Sequence, residues 1–281
     1  MKAVFRHLGT FLIPFPAPGK SWSVGNKLAG CGPPSSKTAI PIAFVLCLLI
    51  VTSTAARATP PVIPLYHASY AAYRNSLRIG NADFALTRDP AGSYIYQSVT
   101  RPAGLVALFV SDVVTETSRF AVENGRLQPL RYAYSHTSDD RKNTESIRFD
   151  RHKGLAYGDD NGKRRTLRLP NNVYDRLLAQ LAISLDSARN QLAGSYRVLN
   201  HNKIRTFNLQ RGSPALLHTP AGAYQTIEVS WHDDRHKARV TAFWLAPKLG
   251  YLPVRMRQTE PGKATISLVL TGIKFDTANS K

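Results

Sequence analysis

The sequence lacks cysteine almost entirely. Its 281 residues contain two, Cys31 and Cys47, and none beyond position 47. That removes disulfides, thiolate metal sites and cysteine nucleophiles from everything downstream. Acidic residues are absent from the first 58 positions, which carry six cations: Lys2, Arg6, Lys20, Lys27, Lys37 and Arg57. No uncharged apolar run approaches the ~20 residues that cross a bilayer as a helix. The conspicuous one, Ala39–Val51, has 13. Also missing are G-x-S-x-G, H-E-x-x-H and a phosphate-cradling glycine loop, so no cofactor is implied and no hydrolase or zinc-protease motif is present.

What is there begins with "KTAIPIAFVLCLLIVTSTAARA", residues 37–58. Lys37 supplies the positive end, Ala39–Val51 the apolar middle, and Ala56-Arg57-Ala58 the small residues of a cleavage site. This three-part order predicts a secretory signal peptide cleaved after Ala58 and an exported, periplasmic chain starting at Thr59. Residues 1–36 read as an upstream extension, disordered or preceding the true start. Leu28-Ala29-Gly30-Cys31 resembles a lipoprotein acylation box, but the segment before it, Ser21–Lys27, is too polar for one.

From residue 59 onward, 31 Lys and Arg face 18 acids, a net +13. An excess of this size suits anionic partners. Export and the scatter of the cations over turns and strand faces argue against nucleic acid, and leave lipopolysaccharide phosphates or lipid head groups. Solvated faces of a soluble protein explain the same charge.

After a lead-in at 59–64, apolar residues alternate: Ile227, Val229 and Trp231; Val240, Ala242 and Trp244; Ile266, Leu268 and Leu270. Period two predicts strands with one face in a core, roughly ten to twelve of them. Asn161-Gly162 predicts a tight hairpin, and the phase slip at Gly272 a β-bulge. One segment departs from this rhythm. Val173, Leu177, Leu178, Leu181 and Leu185 stand at helical spacing, predicting one helix over 173–190, capped by Asn171 or Asn172 and packed on the sheet. Residues 65–276 therefore read as a single β-rich domain, an antiparallel barrel-like or half-barrel sheet with one helix, ending in a tail at 277–281.

Three places invite a site. "WHDDRHK" gathers His232, Asp233, Asp234 and His236, a possible metal set and the basis of a metal-dependent enzyme reading. It equally forms a polar hairpin turn, and no metal is assigned. "FWLAPKLGYLPVRM" holds Trp244, Pro247, Gly250 and Pro253. Pro247 pre-sets φ for a turn, Gly250 supplies a left-handed position, and Pro253 marks an edge strand or a bulge. None of these is a nucleophile or an acid–base group, so the motif is structural and no catalytic residue is assigned. "RPAGLVALFVSDVV" carries Leu105, Val106, Leu108 and Phe109. This segment is either a buried strand or core turn, or an apolar lip over a ligand cavity.

"PLRYAYSHTSDDRKNTESIRFD", "TPAGAYQTIEVS" and "FWLAPKLGYLPVRMR" resemble the ordered landmarks of the domain of unknown function 3108, a family of exported proteobacterial proteins. The resemblance covers about residues 65–275. Its most specific part is Trp244, Ala246, Pro247, Leu252, Pro253, Val254 and Arg255. It implies a β-barrel-like fold and an envelope location, and it brings no catalytic residues. Two functional classes remain: a non-enzymatic envelope protein binding an apolar or amphipathic ligand such as lipid, and a structural or interaction module acting through the sheet edge that Pro253 marks.

Overall fold

A computed structural model describes residues 63–139, 141–233 and 237–276. The first eight strands form a meander: β1 (Tyr66–Arg74), β2 (Leu77–Arg88), β3 (Tyr94–Pro102), β4 (Val113–Glu123), β5 (Arg126–Thr137), β6 (Lys142–Asp150), β7 (Leu155–Asp160) and β8 (Lys163–Arg168). A short strand β9 (Val173–Asp175) leads into the helix α1 (Arg176–Ala188). A second meander follows: β10 (Ser195–Asn200), β11 (Lys203–Thr219), β12 (Gly222–Asp233), β13 (Val240–Ala246), β14 (Leu252–Thr259) and β15 (Ile266–Phe275). These fifteen strands exceed the ten to twelve expected.

All fifteen join one open sheet, in the order β8-β7-β6-β5-β4-β3-β2-β1-β15-β14-β13-β12-β11-β10-β9. Every neighbouring pair is antiparallel except β9 with β10, which α1 connects in parallel. The first and last strands pair along their length, Tyr66 with Phe275 through Arg74 with Ile266. The edges are therefore β8 and β9, both drawn from the middle of the chain. The pairing of β1 with β15 slips between Ser69 and Tyr70, opposite Gly272 and Leu270, so the bulge falls where the apolar phase changed. The hairpin at Asn161-Gly162 has both residues at positive φ, 51° and 82°.

The sheet curls. Helix α1 touches β3, β4 and β5 as well as β9 and β10, and β9 reaches β5 across the curl. The helix lies inside this curl rather than on an outer face. Leu177, Leu178, Ala179, Leu181, Ala182 and Ile183 are all buried. Leu185 is only partly so.

The predicted helix start is corrected. Val173 and Tyr174 are strand, held by Arg197 and Val198 of β10, because tertiary pairing outweighs helical spacing there. The cap is Asp175, not Asn171 or Asn172: its side chain accepts from the Leu177 and Leu178 amides.

Pro253 is corrected too. Its strand lies inside the sheet between β13 and β15. The register slips between Trp244 and Leu245, so Pro253 faces Leu245 and Val254 is the extra residue. The pairing of β14 with β15 starts only at Arg255. The missing proline N–H thus leaves no ladder bond unmade, and the Pro253 carbonyl accepts from the buried Tyr70 hydroxyl at 2.8 Å. The site is a bulge, not an edge.

Candidate functional site

Residues 104–108 form a single 3-10 turn between β3 and β4. Gly104 opens it at φ 63°, and the Phe109 amide closes it onto the Val106 carbonyl at 3.1 Å. The Ala103 amide fastens it to the Ile79 carbonyl of β2. Val106 packs against the core and Val110 is buried. Between these anchors Leu105, Leu108 and Phe109 project into solvent, 79, 74 and 69 % exposed. Leu77, at the start of the neighbouring strand β2, is 64 % exposed. The segment is thus neither a buried strand nor a core turn. Most exposed apolar residues occur singly; here three large ones share a single pinned turn.

The surrounding charge is mixed, with cations in excess: the exposed Asp139 accepts from Ser111 just after the turn. Arg74 and Arg78 flank the β1–β2 turn at this end of the sheet, and Arg141 and Lys142 the β5–β6 turn; all four are exposed. Arg78 bonds only the Asn81 amide oxygen, and none of the four is ion-paired among the described residues. Arg101 and Lys263, at the same end, do have acidic partners, Asp83 and Glu260.

The interior carries a polar cluster that was not expected from sequence. Arg176, the first residue of α1, is 1 % exposed. Its Nε donates to Glu116 of β4 at 3.1 Å, and its Nη1 donates to the Asn200 side chain at 3.2 Å and lies 3.9 Å from Glu145 of β6. The rings of Tyr134 and Tyr132 stand 4.4 and 5.4 Å from the guanidinium, and the Tyr132 hydroxyl donates to Glu116. His201 donates its amide to Glu145 at 2.7 Å. Burial pushes the Glu145 carboxyl above its ordinary range, against the opposing pull of Arg176 and His201. Beside it, Ser118 donates to Asp175 at 2.7 Å, and burial pushes that carboxyl up to about 7. A signal for these residues exists in the sequence. Glu116 is in phase with Val114, Ser118 and Phe120 on the inward face of β4, and Glu145 with Ile147 and Phe149 on that of β6. The cluster ties the helix to β4 and β6, and within it Arg176 Nη2 and Glu145 Oε2 have no hydrogen-bond partner among the described residues.

The remaining motif residues serve geometry. Pro247 opens a 3-10 turn and Gly250 closes it at φ 65°, donating back to the Pro247 carbonyl. Trp244 is buried, with the guanidinium groups of Arg257 and Arg255 4.9 and 5.9 Å from its ring. Of the possible metal set, Asp234 and His236 lie outside the described residues. Among the described residues no group of three or more His, Cys, Asp or Glu is placed to hold a metal ion.

Comparison with known proteins adds the following. The model of the family "Protein of unknown function (DUF3108)" matches residues 66–269. None of the curated proteins matches the sequence. A β-barrel-like protein of domain of unknown function DUF1849 from Brucella abortus is similar in structure. It has a TM-score of 0.49 and 10% identity over 76% of this chain and 99% of that one. A "putative lipoprotein" from Parabacteroides distasonis aligns with a TM-score of 0.32, at 10% identity, over 76% of this chain and 97% of its own.

Proposed function

The chain belongs to the DUF3108 family, and from that premise we propose that it is an exported, non-enzymatic envelope protein that docks on an anionic lipid surface through the turn at 104–109. The carrying observation is the projection of Leu105, Leu108 and Phe109 from a turn whose other apolar residues anchor it. Burying three such side chains transfers about 5–9 kcal/mol of apolar surface before ordering costs. Each nearby cation adds ~1 kcal/mol at an anionic membrane. Arg74, Arg78, Arg141 and Lys142 are the cations at that end. Both contributions are of the size that makes an interfacial anchor reversible. The signal-like segment at 37–58 supports the exported location. A lipid held within the curl of β3, β4, β5, β9 and β10 is not favoured, since α1 packs there.

The edge-mediated interaction reading is weaker. Pro253 lies inside the sheet; of the two edges, β8 carries Lys163, Arg164, Arg165 and Arg168, which oppose pairing with a second copy, and β9 is only three residues long and packs toward β5.

Vesicle flotation tests the lipid reading. Purified protein should float with phosphatidylglycerol-containing vesicles and much less with pure phosphatidylcholine. Leu105→Ser combined with Phe109→Ser should reduce the bound fraction at least tenfold without altering the fold. Equal flotation of the variant, or none for the wild type, refutes it.

A further inference from the structure

A second feature lies at the opposite end of β4, 11 residues away from the start of that strand, or about 35 Å along it. Here the β4–β5 turn, the C-terminal half of α1 and the start of β10 line a cavity of about 640 Å³ that is open on one side. That volume falls in the range of about 300–1,000 Å³ typical of small-molecule sites. Its construction is specific. Arg189 reaches from the end of α1 and donates to the Gly125 carbonyl at 2.5 Å, pinning the turn against the helix. Tyr196 donates to Asp186 at 2.6 Å, which fixes both groups in the wall.

The lining combines three kinds of surface. Tyr174 and Tyr196 form a bent aromatic pad, with centroids 6.2 Å apart and planes at 39°. Asn124 and Gln191 add amides that can both donate and accept. Arg126 is exposed at the rim, opposite Glu123 in the β4–β5 ladder, and makes no close ion pair among the described residues. The Tyr174 hydroxyl likewise makes no hydrogen bond among the described residues, although the ring is half-buried. The one carboxylate, Asp186, is engaged by Tyr196, so Arg126 and Arg189 leave the rim net positive.

From this we infer that the cavity is a binding site for an anionic saccharide, a sugar ring bearing a carboxylate or phosphate. The C–H face of a pyranose covers an aromatic pad. Its hydroxyls need groups that alternate donor and acceptor, which amides and a free phenol provide. An arginine without a close ion pair selects the charged substituent by a paired hydrogen bond. A purely apolar ligand would make no use of Arg126 or the amides. A bare inorganic anion would leave the aromatic pad uncovered.

NMR titration of the purified protein decides the matter, with D-glucuronate, glucose 1-phosphate, glucose and inorganic phosphate as probes. Both charged sugars should perturb Tyr174 and Asn124 saturably, with glucose at least tenfold weaker and phosphate alone weaker still. Whichever of the two charged sugars binds more tightly tells carboxylate from phosphate. Arg126→Ala should bring the charged sugars down to the level of glucose. Tyr174→Ala should weaken all sugars at least tenfold, while Tyr174→Phe keeps the stacking and most of the affinity; matched thermal melting shows that each variant remains folded. The assignment is overturned if no sugar binds saturably, if glucose binds as well as glucuronate, or if phosphate alone binds as well as glucose 1-phosphate. Affinities that survive both Arg126→Ala and Tyr174→Ala overturn it as well. Leu105→Ser should leave every sugar affinity unchanged, so this site and the lipid-docking turn stand or fall separately.

Discussion

The two halves of the sheet are filled by different means. Where β11 to β15 and β1 to β3 curl, aromatic rings interlock. Trp231 and Phe243 meet edge to face at 4.5 Å, Tyr70 and Phe84 at 5.3 Å, and Phe207 stacks near Trp231. Where β4, β5, β6, β9 and β10 curl, a helix takes up the space and brings a buried arginine with it. The aromatic half gains by removing apolar area from water, which requires no partner at a set angle. The helical half buries ions, and a buried ion stabilises only if its partners are in place. The first half should therefore tolerate changes of condition that the second does not.

The harshest way to break this comparison is Arg176→Met. It strands Glu116 and Glu145 in the interior, and the expected loss lies toward the top of about 3–5 kcal/mol in urea unfolding at neutral pH. Glu145, already raised by burial, loses an opposing cation and rises further. Its folded pKa then lies further above its unfolded one, so the deficit should shrink as pH falls and protons neutralise it. Phe243→Ala, at a site 0 % exposed, should cost about 3–4 kcal/mol through the lost transfer and the cavity. This deficit should be the same at pH 5 and pH 8. If both deficits move together with pH, the two halves do not differ in kind.

Asp175 sharpens the contrast at lower cost. Its carboxyl is held at about 7, against an ordinary value of 3.8. Between about pH 4 and 7 the native state keeps a proton that the unfolded chain has released, so stability falls as pH rises through that window and is level above it. Asp175→Asn retains an oxygen for the Leu177 and Leu178 amides but cannot titrate. The wild type should lose roughly 2–3 kcal/mol between pH 4.5 and 7.5 by this route, and the variant should show a flatter profile. A wild-type profile that rises across the window would contradict this. Smallest of all is the effect of Leu105→Ser on stability, within about 0.5 kcal/mol, because that side chain stands in solvent.

How far the sequence announces these features depends on whether the deciding contact is local. Alternation revealed the strands, since a half-buried strand must show period two. Asn161-Gly162 revealed its hairpin because both residues adopt positive φ readily. The helix was visible from Leu177 to Leu185. Its start was not, because Val173 and Tyr174 are claimed by β10, some 24 residues later in the chain. Pro253 showed that a ladder bond was missing, but not which neighbour lacked it. The exposed turn was ambiguous, as an apolar run reads alike whether buried or bare. Arg176 drew no attention in the sequence, since only the curl of the sheet carries Glu116 and Glu145 to it. The sugar cavity is assembled from three separate stretches, and no single one hints at it.

The pairing of β1 with β15 has a consequence for connectivity. Read around the sheet from β9, the strands run β10 to β15, then β1 to β8, each beside its chain neighbour except at the one seam. A circular permutant that joins Phe275 to Tyr66 by a short linker and opens the chain between Arg168 and Val173 would have a continuous order, with every strand next to its predecessor. Its strand pairings would all be local, while the contacts of β9 and α1 with β3, β4 and β5 would become the long-range ones, so the non-local step of folding would move from the seam to the docking of the helix. In the natural chain the seam is the last pairing for which both strands exist, so a ribosome-bound chain can build β1 to β8 in sequence but must leave β1 half-paired until the final strand emerges.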